Sequence, residues 1–524
     1  MEYDIILITG DVYIDHPLNG IAIIKRFLEK HKFSVGVIET PNWKSNKDFI
    51  KLGKPKLCFG VTSGAMDSLV ENYTPLKKPR EEDEYNDFEK VKPDRAILVY
   101  CNKLKENFKD VPIVIGGIEA SLRRFGHYDY WENRIRRSIL FDSRADILAY
   151  GNAEYSMLEI AKRLKDEKDL KNIFGTCIIS KTIPKDFILL NSIEEIMESK
   201  VLFCKTQLLF SNKKNLCQLD KDNYILQYKA HEYTSKELDE IYELPFTREV
   251  PRNIHYFRGM QFSVVTHRGC VGNCNFCSLS LHQGDKVVSR SEESILKEIK
   301  LLTKHKEFRG NIDDLGGPSA NMYGMDCSTK CEKPCLKCDK LNRSHKKLIS
   351  LLQKARQVPG VKKVFIRSGI RYDLALESKE YVKELVEYHI SGTLKIAPEH
   401  CNSKILKLMN KYSQKRLESF IILFDKYNKN KDNALRFYFM TCHPGSSMIE
   451  TKQLADCIKK LQNTESVQIF TPTPMTISTC MYYTGLDPFS LKKVYIPYTY
   501  NEKKKQKNII FDNTLDIKIK RKTY

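Results

Sequence analysis

The sequence predicts an α/β protein in two parts: an amino-terminal Rossmann-like doubly wound domain, then a partial (β/α)6 barrel. Three observations carry this. Short β-branched runs alternate with amphipathic stretches through residue 165, the alternation resumes at residue 261 as six strand-like runs, and glycines and polar residues gather at the carboxyl ends of that second set. Two separate rhythms in 524 residues fit a chain too long for a single core.

In the first rhythm, DIILITGD, VGVIET, LCFGVT, PIVIGGIEA and ILAYGNAE read as strands, and GIAIIKRFLEKH as a helix between the first two. Parallel strands joined by helical crossovers make residues 1–165 one domain. The polar interruption TPLKKPREEDEYNDFEKVKPDR (74–95) reads as a surface loop. Residues 166–255 show no clear period and read as an irregular joining segment that ends on LPFTREVPRNIHY.

The barrel is expected over 256–490. Its strands are QFSVVTHRG (261–269), NIDDLGG (311–317), KKVFIRSG (362–369), GTLKIAPEH (392–400), LRFYFMTCHPG (435–445) and SVQIFTPTP (466–474), with a helical stretch after each of the first five. Six units form an open barrel, short of the usual eight, and such barrels build their sites at the carboxyl ends of the strands. A cysteine-rich insertion occupies 318–343, and the lysine-rich end, 491–524, reads as a flexible tail.

Lys plus Arg number 87 against 66 Asp plus Glu, a formal charge of +21. That charge suits a polyanion such as nucleic acid, and equally a lysine-rich solvated surface. No stretch is apolar for the length of a membrane span and the amino terminus has no export pattern, so a cytoplasmic protein with no membrane contact is expected. In that reducing setting clustered cysteines bind metal or do chemistry more often than they pair.

Two groups among the 16 cysteines are spaced for ligation. Cys270, Cys274 and Cys277 follow the first barrel strand in RGCVGNCNFC, where Gly269 and Gly272 let the backbone curl until the sulfurs converge. A closed zinc site takes four ligands, whereas a 4Fe-4S cluster held by three thiolates keeps one iron open for another molecule. Cys327, Cys331, Cys335 and Cys338 in the insertion supply four thiols, enough for zinc or for a second, fully ligated cluster.

With Phe276 before its last cysteine and its place at the first strand of a six-unit barrel, this C-x3-C-x2-C loop resembles the radical S-adenosylmethionine (SAM) superfamily. GGIEASLRRFGHYDYW (116–131), SRSEESI, DLGGPSANMYG, SGTLKIAPEH and QIFTPTPMTISTCMYYTG narrow the resemblance to the uncharacterised YgiQ-like family, from near residue 1 to about 497. The resemblance implies an iron-sulfur enzyme of unassigned reaction whose cluster binds SAM at the open iron and, given one electron, cleaves it to a 5′-deoxyadenosyl radical. A low-potential electron donor such as a flavodoxin or ferredoxin is then the implied partner.

The resemblance also points to SAM contacts. Gly316 and Gly317 end the second strand, where superfamily members bring backbone to the methionine amino group; here Pro318 stands where an acidic residue often follows. Arg367 and Arg371 flank the end of strand three, Glu399 and His400 end strand four, and His443 ends strand five, so Arg367 or Glu399 would hold the cofactor's carboxylate or ribose. Cys442 and Cys480 read as hydrogen donors or as buried apolar residues. Some radical enzymes place a cobalamin domain before the barrel, but Asp15, His16 and Gly20 are out of register for the D-x-H-x-x-G that supplies a lower ligand, so no cobalamin is expected on His16. Two rival functions remain: an RNA-modifying radical enzyme, and a non-catalytic zinc protein that binds RNA.

Overall fold

The structure is a computed structural model that describes residues 2–80, 92–327, 331, 335–429, 433–461 and 463–512. The amino-terminal strands are β1 (Ile5–Thr9), β2 (Val35–Glu39), β3 (Cys58–Thr62) and β4 (Ile113–Gly116), then a small ribbon of β5 (His127–Asp129) and β6 (Arg134–Arg136), then β7 (Ile147–Ala149), β8 (Thr176–Ser180), β9 (Ile188–Leu189), β10 (Leu216–Asp220) and β11 (Asn223–Gln227). Apart from the ribbon they form one sheet, ordered β2-β1-β3-β4-β7-β8-β11-β10-β9. The first five positions are parallel, and β8, β10 and β11 join antiparallel. Every residue of β1 is buried, Ile6 and Ile8 in one core and Ile5 and Leu7 in the opposite one, as a parallel sheet covered on both faces requires.

The sheet corrects the boundary read at 165. The 166–255 segment supplies four strands of the same sheet, β8 to β11. The β10–β11 hairpin turns through Lys221, at φ +55°, and Asp222. Its turn contains no glycine, so the strongest hairpin signal is missing from the sequence.

The six expected barrel strands are present. They are β12 (Val264–Val265), continued by β13 (His267–Arg268); β15 (Asn311–Ile312) with β16 (Leu315–Gly316); β17 (Lys363–Val364); β18 (Thr393–Glu399); β19 (Ala434–Thr441); and β20 (Thr464–Ile469). β14 (Val288–Ser289) is extra and pairs antiparallel with β13. Parallel pairings β12–β16, β15–β17, β18–β19 and β19–β20, with a bridge from Ile370 to Ile396, keep the six runs in sequence order. Helices Glu292–Leu302, Lys346–Arg356, Lys379–Tyr388, Gln414–Tyr427 and Met448–Leu461 cover the outside, burying Ile295, Leu351, Leu385, Phe420 and Ile458 in one core with the strands.

The expected flexible tail is in part a docked helix, Tyr500–Asp512. Thr499 and Glu502 cap its start reciprocally, the Thr hydroxyl accepting from Glu502 N (3.1 Å) and the Glu carboxylate from Thr499 N (3.0 Å). Its inner face buries Gln506, which donates to Ser446 O (2.7 Å), and Lys503, whose Nζ donates to the hydroxyls of Tyr130 (2.8 Å) and Tyr482 (2.9 Å). The lysine run hid a T-x-x-E start signal in the sequence. Residues 513–524, and residues 81–91 of the expected surface loop, lie outside the described residues. One pair departs from the expectation of unpaired cysteines: Cys401 and Cys457 form a disulfide between the end of β18 and helix Met448–Leu461. Neither lies in a spaced cluster, so the sequence held no sign of it. Among the described residues no helix is long and apolar enough to cross a membrane.

Candidate functional site

The β13–β14 pair closes the base of the loop that carries Cys270, Cys274 and Cys277. Gly269 sits at φ +82°, and a Cβ there would overlap Lys286 O; at Gly272 it would stand 2.6 Å from the Arg371 guanidinium and 3.3 Å from Cys270 Sγ. Both glycines are therefore fixed by packing as well as by turn geometry. The loop is braced from two sides. Asn275 donates through its backbone to Met409 O (3.0 Å) and through Nδ2 to Leu408 O (2.8 Å), Asn410 donates to Asn273 O (2.8 Å), and Ser478 N donates to Asn275 O (2.9 Å).

Burial pushes the Cys270 thiol upward, and burial with the neighbouring Cys274 pushes Cys277 up to about 12. Such thiols become thiolates only beside added positive charge, which metal ions supply. Arg371 provides part of it: its Nη1 donates to Cys274 Sγ (3.3 Å), while Nε and Nη2 grip Asp373 (2.9 and 2.5 Å). Against the upward push of burial, the Arg371 charge holds the Asp373 carboxyl below its ordinary value. Asn321 fixes the backbone of Arg371, accepting from its N (2.8 Å) and donating to its O (3.0 Å). Among the described residues no group of three or more His, Cys, Asp or Glu side chains is arranged around a single metal ion.

The expected strand-end residues divide. Gly316 and Gly317 lie at the end of β16, in close contact with neighbouring strands: a Cβ on Gly317 would stand 2.6 Å from His267 Cε1, and one on Gly316 3.1 Å from Ser368 Oγ. Glu399 ends β18 at φ +70°, beside a register shift, and burial raises its carboxyl against the pull of Lys411 and Arg371. Arg367 departs from expectation: it is exposed and its Nη1 donates to Gly259 O (3.1 Å), so Arg371 is the arginine that reaches the cysteines. His400 accepts from Cys401 N and Asn402 N (both 3.0 Å), and His443 is locked between Pro444 O (2.9 Å) and Ser478 Oγ (2.7 Å). Both imidazoles are buried. Cys442 is buried behind helix Tyr500–Asp512, and Cys480 lies 3.7 Å from Cys204, Sγ to Sγ.

The amino-terminal sheet presses on the cysteine loop from above. Ser121 Oγ meets His282 Nδ1 (3.0 Å), Asn212 donates to Leu281 O (2.8 Å), and the buried pair Arg268–Glu154 (2.7 Å) ties the first barrel strand to the helix after β7. Arg124, from the 116–131 stretch, is buried and donates to Gln227 Oε1 (2.6 Å), Asn212 Oδ1 (2.9 Å) and Ser121 O (2.5 Å). That stretch is scaffold for the wall above the loop, a role that only the fold reveals. His16 is fully buried: Nδ1 accepts from Leu18 N (3.0 Å), and Nε2 lies 2.9 Å from Gln261 O and 3.0 Å from Arg248 Nη1.

Three family matches divide the chain: Radical SAM N-terminal over residues 1–261, the Radical SAM superfamily over 264–458, and a domain of unknown function, DUF3362, over 465–510. A UPF0313 protein of Clostridium botulinum is 45% identical over 547 residues, covering 98% of this chain and 85% of its own, and one of Methanocaldococcus jannaschii is 43% identical, covering 97% and 89%. Among solved structures, the radical SAM methyltransferase TsrM of Kitasatospora setae, with cobalamin and a [4Fe-4S] cluster bound, aligns at TM-score 0.56 and 15% identity over 92% of this chain and 79% of its own. The cobalamin-dependent radical enzyme OxsB aligns at TM-score 0.53 and 12% identity, over 91% and 55%. With the barrel, its cysteine loop and these relatives in place, the chain belongs to the UPF0313 family and is a radical SAM enzyme of unassigned reaction.

Proposed function

We propose that Cys270, Cys274 and Cys277 hold a 4Fe-4S cluster that binds SAM and cleaves it reductively. The observation that carries the reading is the glycine-tight loop of three thiols at the end of the first barrel strand, Cys270 buried and Cys274 and Cys277 half-buried, with Arg371 against Cys274. When bound, the cluster supplies one electron to the sulfonium of SAM, whose C–S bond breaks to give methionine and a 5′-deoxyadenosyl radical for hydrogen abstraction. The chain's own residues position and enclose. Asn275, Asn410 and Ser478 hold the loop, Arg371 steadies negative charge on Cys274, and Ser121 and Asn212 anchor the helix that follows the cysteines through His282 and Leu281 O. Gly316, Gly317 and Glu399 are the groups we assign to SAM, the glycines through backbone and Glu399 through its carboxyl.

We place no corrinoid in the amino-terminal sheet, although TsrM and OxsB hold cobalamin. A sheet of this kind takes ligands at the carboxyl edge where strand order reverses, here between β1 and β3. Among the described residues that crevice holds an ion network: Lys92 Nζ donates to Asp11 (2.7 Å) and pairs with Glu71, and a Cβ on Gly64 would overlap the Asp11 carboxylate. The test of the main reading is anaerobic production of 5′-deoxyadenosine from SAM with dithionite as reductant. Changing Cys270, Cys274 or Cys277 to Ala, one at a time, abolishes it; product formation unchanged in all three variants would sink the proposal.

A further inference from the structure

The chain's two halves meet along a pair of helices, Lys200–Leu209 between β9 and β10 and Ile477–Thr484 after β20. Two contacts set how these helices lie. The ring of Phe203 stands edge-on to Tyr483, centroids 5.1 Å apart, and Gln207 Nε2 donates to Met475 O just before Thr476 caps the second helix. Between those contacts Cys204 faces Cys480, 276 residues further along the chain, with the two Sγ atoms 3.7 Å apart. Both side chains are fully buried, in one apolar cluster with Phe203 and Tyr482. Solvent is one helix away, since Val201, Leu208 and Leu209 of the first helix are exposed.

The pair is asymmetric. Cys480 donates to Cys204 Sγ, and Cys204 in turn donates to Thr484 Oγ1 (3.5 Å). The hydrogen bond from Cys480 brings the Cys204 thiol down to about 7 against the push of burial, whereas burial drives Cys480 well above its ordinary value. Burial pushes Cys58, Cys177 and Cys442 each up to about 12. Cys327, Cys331, Cys335 and Cys338 of the insertion are half-buried, and residues 328–330 and 332–334 between them lie outside the described residues. Cys204 is therefore placed to be a thiolate with a protonated thiol in contact, the arrangement in which one sulfur attacks an oxidant and the other resolves the product. A disulfide bond is about 2.05 Å long, so its formation draws the two sulfurs about 1.7 Å closer.

We propose that Cys204 and Cys480 are a peroxide-sensitive pair that closes into a disulfide, tying helix Lys200–Leu209 to the helix that braces the cysteine loop. That brace is the bond from Ser478 N to Asn275 O (2.9 Å), two residues before Cys480. The Cys204 thiolate attacks hydrogen peroxide, the O–O bond breaks, and a sulfenic acid and hydroxide form. The Cys480 sulfur then displaces the sulfenic hydroxyl, the S–S bond forms, and the Cys480 proton leaves with that hydroxyl as water. Two electrons pass from the sulfurs to the peroxide, and a dithiol reductant returns them. No step involves the first cysteine loop, so the pair stands or falls separately from the cluster assignment.

The full chain, purified anaerobically, is treated with hydrogen peroxide, alkylated, and digested without reductant for mass spectrometry. A peptide pair joined through Cys204 and Cys480 is expected in most chains and is expected to vanish with dithiothreitol. Both cysteines recovered alkylated, or Cys204 joined mainly to another cysteine, overturns the proposal, and this readout needs no variant. The order of attack is read with dimedone, which traps sulfenic acids: Cys480→Ser is expected to carry roughly tenfold more label on Cys204 than wild type does, with Cys480 unlabelled in Cys204→Ser. Label on Cys480 in Cys204→Ser refutes the assignment of Cys204 as the attacking sulfur. The tie is read as the urea midpoint, which peroxide is expected to raise in wild type and leave unmoved in Cys480→Ser, because a cross-link across so long a loop restricts the unfolded chain. Equal shifts in the two proteins refute it.

Discussion

Replacing Arg371 by Met removes the one guanidinium among the described residues that donates to a cysteine of the first loop, and its effect has a definite sign. Arg371 and Asp373 form a buried dipole whose positive end is 3.3 Å from Cys274 Sγ. At an effective dielectric of about 20, a unit charge about 4 Å away contributes about 4 kcal/mol and the opposite charge about 7 Å away takes back about 2.4 kcal/mol, leaving about 1.6 kcal/mol in favour of added negative charge. With Arg371 gone, Asp373 takes up a proton, so the loss is that of the dipole. The reduction potential of the cluster therefore falls by about 70 mV, since about 1.4 kcal/mol corresponds to about 59 mV for one electron. Asp373→Asn keeps the cation and deletes its offset, so it moves the potential upward. The assay is a redox titration followed by electron paramagnetic resonance of reconstituted protein, free of any dependence on substrate. Midpoints within about 10 mV of wild type in Arg371→Met, or shifts of the same sign in both variants, would refute the reasoning.

Gly269→Ala must displace Lys286 O at a positive-φ position, so we expect iron content to fall to a small fraction of wild type after reconstitution, whereas Gly20→Ala, which meets no atom within 4 Å and is not at positive φ, retains far more. His16→Ala removes a fully buried ring and the acceptor that Leu18 N uses, although Gln261 O keeps Arg248 Nη1 as a donor (3.0 Å), and lowers stability by roughly 1–3 kcal/mol in urea unfolding; retention of hydroxocobalamin in gel filtration is expected to be negligible in both proteins, and stoichiometric retention abolished by the substitution would contradict the sealed position of His16. Burial lowers Lys503 from its ordinary value to about 8. Between that value and about 10.5 the unfolded chain keeps a proton that the folded chain has released, so wild-type stability gains up to about 1.4 kcal/mol per pH unit across the window. Lys503→Met is expected to lose that rise, and parallel pH profiles for the two proteins would show that Lys503 does not titrate in this way.

What the sequence determined lies in local pattern. Alternating β-branched runs and amphipathic stretches specified the parallel core β1–β4 and β7 and all six barrel strands, because burial on both faces demands continuous apolar runs and covering helices demand a 3.6-residue period. The spacing of Cys270, Cys274 and Cys277 after the first of those strands pointed to the radical SAM superfamily, whose match over residues 264–458 agrees, since a short loop limits which sulfurs can meet. Tertiary structure decided what depends on distant partners. Arg367 and Arg371 look alike in the sequence, and only the fold turns one toward Gly259 and the other onto Cys274. The 166–255 strands join the sheet where β8 pairs with β7 beyond an intervening helix, their hairpin β10–β11 turns without glycine, and Lys503 leaves a run of lysines for the hydroxyls of Tyr130 and Tyr482, far apart in the chain. Cys401 and Cys457 meet because β18 and helix Met448–Leu461 pack side by side. Hydrophobic period is written in neighbouring residues and survives without a partner; the pairing of a charge, a thiol or a strand edge is a free energy shared with a group far along the chain, and it exists only once the fold has brought the two together.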